Sequence, residues 1–198
     1  MTIGNYKIDQ KSPVFIIAEL SANHNGSLDV AIETIRAAKR AGANAIKLQT
    51  YTADTLTLNV RNDDFKISGG TLWDDRYLYD LYKEAYTPWE WHQALFDVAK
   101  EDGLICFSSP FDKTAVDFLE NLGVPAYKIA SFEITDIPLI EYVASKGKPI
   151  IISTGIAELD DIHLALDACK RMGNSDIALL KCTSSYPAEL SEANLLMV

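Results

Sequence analysis

What most constrains this chain is an alternation, repeated almost from end to end, of short apolar runs with longer segments of helical spacing. Apolar runs at residues 14–20, 45–49, 104–108, 126–130, 150–153 and 177–182 have strand length. They are apolar at nearly every position rather than at every second one, which suits a sheet covered on both faces. Strands that alternate with helices predict parallel strands joined by right-handed helical crossovers.

The helical segments carry their own end signals. Ile32, Ile35 and Ala38 recur at helical spacing within residues 29–41, and Gly42 follows as a stop. Further helices are expected at 112–121, from 136 or 137 to 145, and at 158–172, with Gly123, Gly147 and Gly173 just past their ends. Thr87-Pro-Trp-Glu90 reads as a capping box with proline at the first helical position, opening a helix to about residue 101. The rhythm breaks between residues 50 and 87, where a polar insertion far exceeds a connecting turn. Inside it, Asp75-Arg-Tyr-Leu-Tyr-Asp-Leu-Tyr-Lys-Glu84 predicts a short helix whose aromatic face packs on a core. Another helix is expected to start near Glu189.

With 198 residues, 48% of them hydrophobic and 23% charged, the chain has the material for one domain with a real core. An open doubly wound sheet and an eight-stranded barrel both fit six such strands. The barrel is favoured because polar residues gather where strands end and no glycine-rich dinucleotide fingerprint follows the first strand. A complete TIM barrel takes about 250 residues. The expectation is therefore an α/β, TIM (β/α)8-type barrel truncated after about the sixth strand, with 1–198 as its N-terminal part.

A net charge of -10 without a basic patch argues against nucleic acid. The apolar runs fall far short of the roughly 18 residues of a bilayer span, and the N-terminus has no leader pattern, so no membrane and a cytoplasmic location are expected. Cys106, Cys169 and Cys182 lack metal-type spacing and are expected to be reduced, buried thiols.

The strand exits carry the chemistry. They read Glu19-Leu-Ser-Ala-Asn-His24, Lys47-Leu-Gln49, Ser108-Ser-Pro-Phe111, Lys128-Ile-Ala-Ser-Phe-Glu133, Ser153-Thr-Gly155 and Lys181-Cys-Thr-Ser-Ser-Tyr-Pro187. Lys47 and Lys128 lie in otherwise apolar strands, where an ammonium needs either an acidic partner, such as Glu19 or Glu133, or a bound anion. Hydroxyls at Ser109, Ser131 and Ser153 would complete a phosphate cradle that an ion pair alone does not require. A small phosphorylated or carboxylated substrate fits best. His24 reads equally as a hydrogen-bonded structural residue and as a ligand or proton donor, whereas His92 and His163 fall on helices, outside the site.

Ala18-Glu-Leu-Ser-Ala-Asn-His-Asn-Gly-Ser27, Ile46-Lys-Leu-Gln-Thr50, Phe107-Ser-Ser-Pro-Phe111, Tyr127-Lys-Ile-Ala-Ser-Phe-Glu133, Ser153-Thr-Gly155 and Cys182-Thr-Ser-Ser-Tyr-Pro187 together resemble the sialic acid synthase family. The likeness runs through essentially the whole chain in order. The wording of the first motif, and the insertion from Gly70-Thr-Leu-Trp-Asp74 through Tyr86-Thr-Pro-Trp-Glu-Trp-His92, resemble the branch whose product is pseudaminic acid.

The resemblance implies condensation of phosphoenolpyruvate with an open-chain acetamido sugar, here 2,4-diacetamido-2,4,6-trideoxy-L-altrose. C–O cleavage releases phosphate, and a divalent metal, manganese or magnesium, assists. It implies that Lys47, Ser109, Lys128, Ser131 and Ser153 contact the phosphate and that Ser184 contacts the carboxylate, at a position where the family usually has Asn. Glu133 would position or deprotonate water, with Lys128 also in the catalytic set, and Glu19, Gln49 and Tyr186 would face the sugar. It further implies a homodimer, with two metal-binding histidines, the last strands and a small C-terminal antifreeze-like domain beyond residue 198, so that residues 1–198 alone are expected to be inactive or poorly folded. The alternatives left open are an N-acetylneuraminate or legionaminic acid synthase, a lyase using a lysine Schiff base, and a catalytically incomplete fragment with a phosphate-binding face.

Overall fold

A computed structural model describes residues 1–185 and 188–197 of the chain. In chain order the elements are β1 (Thr2–Ile3), β2 (Tyr6–Lys7), β3 (Ile17–Glu19), α1 (Leu28–Arg40), β4 (Ala45–Thr50), α2 (Ala53–Leu56), α3 (Leu78–Ala85), α4 (His92–Glu101) and β5 (Ile105–Pro110). They continue with α5 (Lys113–Asn121), β6 (Tyr127–Ile129), α6 (Ile137–Ala144), β7 (Ile150–Ser153), α7 (Leu159–Arg171) and β8 (Ile177–Leu180). From β3 onward this is the strand and helix succession of a TIM-type barrel carried through its sixth strand. The chain divides into two compact units, Phe15–Cys106 and Met1–Val14 with Phe107–Val198.

In the unit Phe15–Cys106, β3 and β4 pair in parallel with Ile17 opposite Ala45, Ala18 opposite Ile46 and Glu19 opposite Lys47. Side chains alternate along a strand. Ile46 and Leu48 therefore share one face, where they pack with Leu20, with Ala31 and Ile35 of α1, and with Leu95 and Ala99 of α4. Lys47 and Gln49 take the opposite face. Ser27 caps α1 by accepting from the Val30 N–H, with Asp29 in the first turn and Lys39 and Arg40 in the last, the charge order that suits the helix dipole. Ahead of β4, Asn44 Oδ1 accepts the Ile16 N–H at 2.8 Å, and the Asn44 carbonyl accepts the Ile105 N–H at 3.1 Å.

The predicted capping box at Thr87 is not formed. Pro88 stands ahead of a 3-10 turn, Trp89–Trp91, and α4 starts only at His92. Among the described residues Thr87 Oγ1 is buried with no partner. Tertiary contacts decide the local path: Trp89 Nε1 donates to the Tyr51 carbonyl at 3.1 Å, and His92 places Nδ1 3.2 Å from the Pro88 carbonyl and Nε2 2.9 Å from Thr50 Oγ1. The aromatic segment expected at 75–84 is helical as α3, and none of its residues is fully buried.

In the other unit the strand order is β5-β6-β7-β8, all parallel. β6 and β7 are buried at every position, as their unbroken apolar runs require. Asp112 caps α5, Asp136 caps α6, and Glu158 and Asp161 form a reciprocal box at the start of α7. β8 departs from expectation. Leu179 and Leu180 are 43% and 37% exposed because, among the described residues, β8 is covered along one edge only, by β7. Past it, a 3-10 turn at Leu190–Glu192 replaces the helix expected near Glu189. The sequence reading also missed the antiparallel β1–β2 hairpin, which buries Ile3 completely. Cys106 and Cys169 are buried and burial pushes both thiols up, the second to about 11. Cys182, expected inside a strand, is half-buried in the loop after β8.

Asn174 does for β8 what Asn44 does for β4. Its Nδ2 donates to the Lys148 carbonyl at 2.8 Å and to Ala144 at 3.4 Å, and its Oδ1 accepts the Asp176 N–H at 3.0 Å. Replacing Asn174 with Ala strands these buried backbone groups and lowers the unfolding free energy by about 2 kcal/mol, read from urea denaturation at unchanged slope. His92 supplies a pH signature. Burial lowers its pKa from 6.5 to about 4, so between those values the unfolded chain holds a proton that the folded chain does not. Its contribution is complete above pH 6.5 and is lost as pH falls, by about 3 kcal/mol in all. An H92Q variant, compared with the parent by chemical denaturation between pH 7 and pH 4, loses that part of the pH slope.

Candidate active site

Strand register sorts the predicted site residues by face. In the β5–β8 unit Ser108 lies opposite Tyr127, Lys128 opposite Ile151, and Ser153 opposite Leu180. Partners in a parallel ladder point the same way and neighbours along a strand point opposite ways. Ser109, Lys128 and Ser153 therefore share one face, while Ser108, Tyr127 and Ile152 share the other.

Lys128 is 5% exposed, and its ammonium donates to the Ile129 carbonyl at 2.8 Å and to Ser153 Oγ. These dipoles help to solvate the buried charge. Ser153 Oγ also accepts from Cys182 Sγ at 3.2 Å. Ser109 is fully buried, and among the described residues neither its hydroxyl nor Glu133 Oε2 has a partner. Burial pushes the Glu133 carboxyl up, against the opposing pull of the Lys128 charge. Ser131, after β6, and Ser184, after β8, meet over Gly155. This cluster holds a buried cation, a carboxyl of raised proton affinity, an unpartnered buried hydroxyl at Ser109 and further hydroxyls, the donor set of an anion site with an acid-base group beside it.

The unit Phe15–Cys106 carries the remaining residues. Lys47, 5% exposed, pairs with Glu19 Oε2 at 3.5 Å across the β3–β4 register, and half-buried Gln49 follows it on the same face. The acidic partner anticipated for Lys47 is thus present. His24 resolves toward a structural role: its Nδ1 accepts the Gly26 N–H at 3.1 Å, its ring stands edge-on to Trp91 with centroids 5.5 Å apart, and burial lowers its pKa. His92 is buried on the helix side of β4 and His163 is exposed on α7. Lys181 is tied to Thr183 Oγ1 and the Glu192 carbonyl. Tyr186 lies outside the described residues.

Sequence reasoning did not single out Cys182, although it lies in the quoted run after β8 and its thiol reaches Ser153. Among the described residues no three His, Cys, Asp or Glu side chains converge as a metal cage, so the residues present do not fit the implied divalent cation. No helix among them is long and apolar enough to cross a membrane.

The chain is 52% identical over 195 residues to the pseudaminic acid synthase of Campylobacter jejuni, spanning 98% of itself and 56% of that protein. Identity to the pseudaminic acid synthase of Helicobacter pylori is also 52%, across 93% of this chain and 54% of that one. The chain thus spans about half the length of the curated relatives it matches. Among solved structures, the N-acetylneuraminic acid (sialic acid) synthetase of Leptospira borgpetersenii, in complex with citrate, superposes with a TM-score of 0.85 at 34% identity, covering 98% of this chain and 63% of that one. A TIM-type fold is what that likeness supports, in agreement with the strand and helix succession. A family model, that of the NeuB family, matches residues 34–198. On that match, which takes in the second half of α1 and β4 through β8, the chain belongs to the NeuB family.

Proposed function

We propose that this chain is the phosphoenolpyruvate-binding portion of a pseudaminic acid synthase. The reaction joins C3 of phosphoenolpyruvate to the aldehyde carbon of 2,4-diacetamido-2,4,6-trideoxy-L-altrose, adds water at C2, and expels phosphate by breaking the C–O bond. One observation carries the reading: a buried ammonium, Lys128, shares a sheet face with the buried, unpartnered hydroxyl of Ser109 and with Ser153. The two relatives named for this activity, more alike to the chain than the solved N-acetylneuraminic acid enzyme, support this product.

Each residue then has a task. Lys128 and Lys47 offset phosphate charge, and Ser109, Ser131 and Ser153 donate hydrogen bonds to its oxygens. Ser184 donates one hydrogen bond to the substrate carboxylate. Glu133 faces the carbon that becomes cationic as the C–O bond weakens, lowers the barrier by its charge, and takes a proton from the attacking water. Glu19, Gln49 and Tyr186 hold the sugar. Residues 1–198 form the N-terminal part of the barrel in this reading. The metal ligands, the remaining strands and the antifreeze-like domain belong to the rest of a full-length, homodimeric, cytoplasmic enzyme.

The full-length protein, given phosphoenolpyruvate and the diacetamido sugar, releases inorganic phosphate and yields a nine-carbon keto acid by mass spectrometry. Turnover only with another acetamido sugar transfers the reading to the neuraminate or legionaminate enzymes, and no phosphate release with any acceptor refutes it. Because Glu133 must be ionised to take a proton, kcat falls as pH drops through its raised pKa. The acid limb therefore sits above the ordinary glutamate value of about 4.3. An E133Q variant loses about 100-fold or more in kcat and still binds phosphoenolpyruvate.

A further inference from the structure

Nine of the ten glycines take a left-handed φ, where a side chain would be strained. Gly155, two residues past β7, does not. Its backbone asks for nothing that alanine could not supply. What excludes a side chain there is the space above its Cα: a Cβ would stand 2.9 Å from Ser131 Oγ and 3.2 Å from Cys182 Cβ, and would overlap Ser184 Oγ. Ser131 follows β6 while Cys182 and Ser184 follow β8, the two strands that flank β7. The bare Cα is therefore where hydroxyls from both sides converge. Two residues earlier, Ser153 holds the Lys128 ammonium and accepts the Cys182 thiol.

We propose that Gly155 is a positioning residue of the anion site, its missing side chain letting the Ser131 and Ser184 hydroxyls stand together beside the Lys128–Ser153 pair and donate to one phosphoenolpyruvate. The inference rests on the function proposed above. A serine hydroxyl relieves such a clash by turning to another staggered position. Alanine at 155 therefore costs the fold little and the site two aimed donors.

The test uses full-length protein and titration calorimetry with phosphoenolpyruvate, beside KM and kcat. G155A weakens binding and raises the phosphoenolpyruvate KM by about tenfold to a hundredfold, the scale of hydrogen bonds to a charged group. It leaves kcat within about threefold and the melting temperature within about 2 °C. The penalty of G155A shrinks when Ser184 is already alanine, because the displaced hydroxyl is no longer there to lose. Unchanged affinity in G155A overturns the inference, as does full additivity with S184A. A fall in melting temperature large enough to explain the loss assigns Gly155 to packing alone and also overturns it. Wild-type protein that fails to bind phosphoenolpyruvate overturns the underlying function, an outcome distinct from wild-type and G155A proteins that bind equally well.

Discussion

An ammonium removed from water has to be solvated by the protein, and that demand organises the β5–β8 unit. Lys128 is buried in a strand whose flanking residues are apolar, and its ammonium donates to a carbonyl and to a hydroxyl. Hydrogen-bonding dipoles offset part of the cost of taking that charge out of water. The strand register sets Ser153 and Ser109 on the same face as this ammonium. Lys47 is solved differently. Glu19 pairs with it at 3.5 Å while its own side chain stays largely exposed.

Much of the fold could be read from the chain because burial on both faces leaves an unmistakable mark. Ile150 to Ile152 have no polar side to show, and such a segment has few places to go but the middle of a parallel sheet. Helix starts were legible where the cap is a local matter, as at Asp112 and Asp136. Thr87 failed for the opposite reason. Its pattern is a good cap in isolation, yet Trp89 and His92 bond to Tyr51 and Thr50, some forty residues away, and the chain follows those distant anchors. No local rule contains that information.

The site was legible to a similar depth. Lysine in an apolar strand is a signal that any reader of the sequence can see, and Lys128 and Lys47 both proved buried. Which partner each one takes depends on register, and pattern alone allowed a carboxylate at either. His24 was ambiguous in sequence because an Asn-rich loop suits both roles; the Gly26 amide and the Trp91 ring decide it. The proximity of Cys182 to Ser153 joins residues 29 positions apart and had no counterpart in spacing.

Asn44 and Asn174 each stand just ahead of a strand, β4 and β8, and each spends its side-chain amide on backbone groups of neighbouring segments. The candidate site residues Lys47 and Gln49 on β4 and Ser184 past β8 lie further along the chain. Anchorage is thus held ahead of each of these two strands. The loops past the strands are free of the stapling duty, and sequence change there can accumulate without first endangering the architecture.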